Sequence, residues 1–266
     1  MPVARVADID VHYDAYGSGD PIVWVPGTGL RGATWDRQVR EFRLTNRCIT
    51  LDLRGSGDTM GGSSSFTVAD LATDVAGLLD ALHIVSAHVV GLGLGSAVAQ
   101  ELALARPDLV RTAVLLATWS STARENHIRR HFESRLYALE HGPLDVFAQF
   151  AFWMSAPSVV DDEPELQARV ERELKEATSA RLDGTAAHFR ADLGHETLDR
   201  LGGITAPTLV VYGDEDLITL PAYNERVGSV IPNARVQRLA GAGHLAYLER
   251  PEELNRRVAE FLRDAS

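Results

Sequence analysis

Ala87-His88-Val89-Val90-Gly91-Leu92-Gly93-Leu94-Gly95-Ser96 is the stretch that decides the fold. An apolar run with the β-branched pair Val89-Val90 ends in glycines at 91, 93 and 95, and an alanine- and leucine-rich segment follows. The spacing predicts a buried strand over 87–91, a tight turn and a helix over 95–106 halted by Pro107. A strand that hands over to a helix through a turn is the building unit of an α/β protein with a parallel sheet. The glycines do not make a dinucleotide fingerprint. Ser96 stands where the third glycine belongs, so nicotinamide and flavin are not expected and no cofactor is implied.

The same alternation extends outward on both sides. Val3–Ala7 and Asp10–Tyr16 read as an antiparallel pair, and Pro21–Val25 and Arg47–Leu51 as further strands. Val68, Leu71, Val75, Leu78, Leu79 and Leu82 recur at helical spacing, with Asp70, Asp74 and Asp80 expected on the opposite face. Thr112–Ala117 is another buried strand. From about residue 120 to 201 the strand pattern is replaced by acidic and aromatic helical stretches. Strands resume at Thr208–Tyr212 and Arg235–Leu239, and a last helix runs from about Glu252 to Leu262. The expected organisation is one sheet domain, 1–119 with 202–266, interrupted by a helical lid over 120–201.

Composition limits the functions open to such a domain. With 266 residues, 45% of them hydrophobic, the chain can build a core without disulfides or metal. Twenty-six basic against thirty-seven acidic residues leave a net charge of −11, which disfavours nucleic acid and anionic membrane surfaces as partners. The start of the chain reaches Asp8 without an apolar segment, so a secretory signal is not expected and a cytoplasmic location is. The lone Cys48 sits in a strand-like run and reads as a buried thiol. No pattern marks an oligomer seam.

Ligands of an open parallel sheet sit beyond the carboxyl ends of its strands, so the loops after the strands carry the chemistry. They read P-G-T-G-L-R-G from Pro26, D-L-R-G-S-G-D from Asp52, G-L-G-L-G-S from Gly91, G-D-E-D from Gly213 and G-A-G-H-L from Gly241. Trp119, Ser120 and Ser121 follow a strand and are expected to face a cavity under the lid. Trp35 and, from the insertion, His127, Arg130, Phe132, Phe150 and Trp153 are candidates to line it. Asp52 and Arg54 are expected to brace a loop together. His127 and His131 stand one helical turn apart, but Arg129 and Arg130 between them oppose a divalent ion, so no metal site is expected.

Strand, P-G-x-G, strand, D-L-R-G-x-G, strand, G-x-x-x-G, helical insertion, strand, G-x-x-D, strand, G-x-G-H: in this order the motifs resemble the α/β-hydrolase fold over about residues 8 to 264. The resemblance implies a mostly parallel eight-stranded sheet flanked by helices, with a cap, and a triad in the order nucleophile, acid, histidine. It assigns Asp216 as the acid and His244 as the base, leaving Asp214 as a turn residue. A carboxylate that fixes the imidazole tautomer and stabilises its charged form is what such a base needs. The backbone amides of Thr28 and Leu94 match the oxyanion-hole positions, although Pro26 replaces a histidine common in that loop. The departure is at the nucleophile. Where the family reads G-x-S-x-G this chain has Gly93, which bears no hydroxyl and forms no acyl-enzyme. Ser96 lies too far into the helix to replace it and is expected to pack or cap.

Three functions follow for a small-molecule substrate. One is a cofactor-free hydrolase in which His244 and Asp216 activate water. The chain is similar to small enol-lactone hydrolases and to the carbamate or aminoacrylate hydrolases of pyrimidine breakdown. The second is a serine esterase or lactonase whose serine has been replaced by Gly93, and the third a binding protein on a hydrolase fold. Net charge disfavours highly anionic substrates at long range, while Arg31, Arg54, Arg124 and Arg130 are candidates for a local positive pocket.

Overall fold

A computed structural model describes residues 2–62 and 65–265. Strands β1 (Val3–Val6), β2 (Ile9–Tyr16), β3 (Asp20–Val25), β4 (Asn46–Leu51), β6 (Ala87–Leu92), β7 (Val110–Leu116), β8 (Thr208–Gly213) and β9 (Ala234–Leu239) lie in the order β1-β2-β4-β3-β6-β7-β8-β9. A two-residue strand not foreseen from sequence, β5 (Met60–Gly61), pairs with β2. β1–β2 and β2–β4 are antiparallel and every pair from β4 to β9 is parallel. β6 is central and wholly buried, as an apolar run covered on both faces should be.

Helices α1 (Asp36–Phe42), α2 (Val68–Ala81), α3 (Leu94–Ala105), α9 (Pro221–Val230), α10 (Ala246–Glu249) and α11 (Pro251–Asp264) flank the sheet. α2 opens on a capping box in which Thr67 and Asp70 satisfy each other's backbone amides. Its apolar face packs inward as the spacing required, but Asp74 does too. That carboxylate is buried and takes a bidentate fork from Arg54, Nε and Nη2 to its two oxygens at 2.5 and 2.6 Å, which offsets the cost of burying it.

Helices α4 (Asn126–His141), α5 (Leu144–Gln149), α6 (Pro157–Asp162), α7 (Pro164–Ala180) and α8 (Leu182–Leu193) form the insertion between β7 and β8. Its two ends meet at a neck. Ser121 bridges Glu196, and the amides of Thr197 and Leu198 both donate to the Ser120 carbonyl. Beneath the neck, Gln100 of α3 donates to Thr118 Oγ1 at 2.7 Å and to the Trp119 carbonyl at 2.9 Å, and Thr197 Oγ1 donates to its Oε1. Among the described residues no helix is long and apolar enough to cross a membrane.

Candidate active site

The turn between β6 and α3 is set by three glycines held for different reasons. A Cβ on Gly91 would meet the Gly95 carbonyl oxygen at 2.1 Å, and one on Gly95 the Val25 carbonyl oxygen at 2.2 Å, so the backbones leave room for neither. Gly93 has φ 52° and ψ −117°, a conformation that side-chain-bearing residues rarely adopt, yet the space beside it is open. The first atom a Cβ there would meet is His244 Nε2, at 3.4 Å. The open space beside Gly93 therefore faces the imidazole.

His244 is held from behind. Its Nδ1–H donates to Asp216 Oδ2 at 3.0 Å, a bond that, in the neutral imidazole, leaves the Nε2 lone pair facing Gly93. The Asp216 carboxylate, 1% exposed, also accepts the amides of Ile218 and Thr219 at Oδ1 and the Thr219 hydroxyl at Oδ2. Thr219 also lies 3.3 Å from His244 Nδ1. Sequence reading missed Thr219; its signal is an acid with a hydroxyl three residues later, where the Asx turn made by the Ile218 amide brings the Thr219 hydroxyl back to the carboxylate. Asp214 braces the neighbouring loop by accepting the Gly241 amide at 2.7 Å. The histidine loop is tied to the cap through buried Glu249, which accepts from the amides of Gly243 and Ala156.

A narrow cavity of about 40 Å3 lies over this pair, room for a few waters. Thr28, Gly93, Leu94, Trp119, Phe132 and His244, all nominated from sequence, line it together. No hydrogen bond from the amide of Thr28 or Leu94 is found among the described residues. Ser96 is turned away, donating to the Gly93 carbonyl at 2.6 Å, with Thr118 Oγ1 2.9 Å from its oxygen. Ser120 is buried at the neck, and its hydroxyl has no hydrogen-bond partner among the described residues.

The other nominated residues lie elsewhere. Trp35 is in the core, 5.2 Å from Trp24 and 5.3 Å from Tyr247 between ring centres, because the segment after β3 folds it back against β3 and β4. His127 is exposed, with Nε2 2.7 Å from the Leu217 carbonyl, and Arg130 is exposed beside Glu133. Phe150 lies behind Arg135, and Trp153 is 48% exposed against Phe152. α4 thus presents His131, Phe132 and Arg135 to the cavity, whereas His127, one turn before His131, lies in the first turn of the helix against the Leu217 carbonyl, and Arg130 points away. Asp52 and Arg54 brace separate partners: Asp52 accepts the amides of Gly32 and Asp58, while Arg54 holds Asp74. Among the described residues no group of three His, Cys, Asp or Glu could hold a metal ion.

A buried polar cluster on α8 reaches the loop after β3. His188 accepts the Gly29 amide at Nδ1 and donates from Nε2 to the Arg54 carbonyl, and Asp192 accepts from the Thr28 hydroxyl at 2.8 Å. Burial drives the imidazole down to about 4 and the carboxyl up to about 8, so both are neutral at pH 7.

The profile of the alpha/beta hydrolase family matches residues 22–257. The chain is 33% identical to the Mycobacterium tuberculosis protein named non-heme bromoperoxidase BpoC, over 95% of this chain and 97% of that one. It is 30% identical to the Caulobacter vibrioides protein named carbamate hydrolase RutD, over 96% of each. The solved enol-lactonase of Burkholderia xenovorans superposes with a TM-score of 0.88 at 24% identity, covering 98% of this chain and 100% of that one, which speaks to the fold alone. With the sheet order, the inserted helices and the buried acid–histidine pair already described, the chain belongs to the alpha/beta hydrolase family.

Proposed function

We propose that the protein is a cofactor-free hydrolase of a small ester, lactone or carbamate, in which His244 activates water directly. The observation that carries this reading is the gap at Gly93, which faces His244 Nε2 while Nδ1 stays bonded to Asp216. A water in that gap gives a proton to Nε2 as its oxygen attacks the substrate carbonyl carbon. The free amides of Thr28 and Leu94 receive the oxyanion, each such donor being worth about 3 kcal/mol in the transition state. As the tetrahedral intermediate collapses, His244 returns the proton to the departing alcohol or amine. The likeness to a protein named for carbamate hydrolysis supports the substrate class.

The left-handed turn at Gly93 and the open space beside it favour a second reading, a serine enzyme that has lost its nucleophile. One turnover panel of small esters, lactones and carbamates on the wild type, His244→Ala and Gly93→Ser separates the two. Direct water activation predicts wild-type turnover and a fall of about 100-fold or more in kcat/KM for His244→Ala. A wild type that is inactive, with ester turnover and fluorophosphonate labelling appearing only in Gly93→Ser, rejects it in favour of the lost nucleophile.

A further inference from the structure

The cavity over His244 is lined by one arginine, and the water mechanism does not use it. Arg135 of α4 lines it and is 3% exposed. No hydrogen bond or ion pair of its guanidinium is found among the described residues, and its Nε is enclosed without a partner. Three rings hold it, with the guanidinium carbon 4.3 Å from the centre of Phe147, 5.1 Å from Phe150 and 5.6 Å from Phe189. Ring faces attract a cation, but they cannot accept the fork of N–H bonds that a guanidinium presents.

Nothing else in the cavity neutralises that charge, since no Asp or Glu side chain lines it. The arginines nominated from sequence are all committed: Arg31 to Asp58, Arg54 to Asp74, Arg124 to Asp199 and Arg130 to Glu133. Burial lowers Arg135 only to about 9, so it remains a cation at neutral pH. Neighbouring His131 is driven well below its ordinary value by burial and by Arg135, so it adds no second charge. A buried charge kept without a counter-ion is costly unless a partner arrives with the ligand.

We infer that Arg135 is the specificity-determining residue of this site and that the substrate carries a carboxylate, received by its guanidinium while the scissile carbonyl lies at Gly93 and His244. The narrow, otherwise mostly apolar lining suits a short organic acid derivative. The inference rests on the reading of this cavity as the substrate site, and its test has two arms so that the two can fail separately.

In the first arm, butyrate and its neutral isostere butyramide are titrated calorimetrically into the wild type, Arg135→Met and Arg135→Lys, with folding checked by circular dichroism. The wild type should bind butyrate at least tenfold tighter than butyramide. Arg135→Met should abolish that preference while leaving butyramide within twofold, and Arg135→Lys should restore part of it. Equal affinities in the wild type, or parallel losses for both ligands, overturn the inference. In the second arm, hydrolysis of monomethyl succinate is compared with that of methyl succinamate. Butyrate selectivity with neither ester turned over leaves the anion site standing and removes the hydrolase. A preference for methyl succinamate keeps the hydrolase and removes the anion site.

Discussion

Two kinds of glycine meet within five residues, and substitution should tell them apart. Ala at Gly93 meets ordinary contact distance and suffers only the unfavourable φ of 52°, a strain of about 1–3 kcal/mol. Ala at Gly91 has to displace the Gly95 carbonyl oxygen, 2.1 Å from its Cβ, and both strand and helix are fixed there. Urea unfolding should show Gly91→Ala to be the more damaging, by more than about 4 kcal/mol if it folds at all. Equal losses would mean that crowding is not what keeps glycine at 91. Sequence reading reached Gly93, Asp216 and His244 because chain order and loop motifs mark them. It missed Arg135 because a cation within a helical run such as H-I-R-R-H-F-E-S-R looks like any solvated arginine until packing shows which face points inward.

Helix α8 illustrates a demand on pH that belongs to an element rather than a residue. His188 has a folded value of about 4, and His195, just beyond the helix, about 3, both depressed by burial, so each favours the fold while neutral. Their contribution is complete above the ordinary histidine value of about 6.5 and is lost as pH falls toward 4. Asp192 runs the other way. Raised by burial to about 8, it favours the fold while protonated, so its contribution is complete below the ordinary carboxyl value and is lost as pH rises toward 8. Buried Glu125, raised to about 7, acts in the same sense as Asp192. Stability should therefore fall between about pH 6.5 and 8, and Asp192→Asn should flatten that fall, as thermal unfolding across the range would show. An unchanged slope would mean that Asp192 is ionised in the fold. The order of strands and helices was legible because apolar runs of four to seven residues alternate with helical spacing. β5 was not, because two residues carry no periodicity, and the inward turn of Asp74 was not, because its partner Arg54 is 20 positions away.

Across the whole molecule, an acidic exterior surrounds a cationic cavity. Net charge −11 opposes the approach of the carboxylate substrate inferred above, which Arg135 would attract only once it is inside. Raising salt from about 10 mM to about 150 mM shortens the Debye length from about 30 to 8 Å and should raise kcat/KM for monomethyl succinate severalfold. The neutral methyl succinamate should be indifferent, and a fall for the anion would show that surface arginines do the steering. The sign of the total charge, readable at once from composition, thus governs the approach and says nothing of the destination. The elbow after β6 has a comparable independence from its chemistry. Gly91 and Gly95 are fixed by neighbouring backbone, whereas position 93 alone faces the imidazole, so a single-base change of a suitable glycine codon to a serine codon offers a nucleophile without redrawing the turn. If the protein works by the water activation proposed above, that route and an acyl-enzyme route lie one substitution apart on the same scaffold, with the backbone of the turn unchanged.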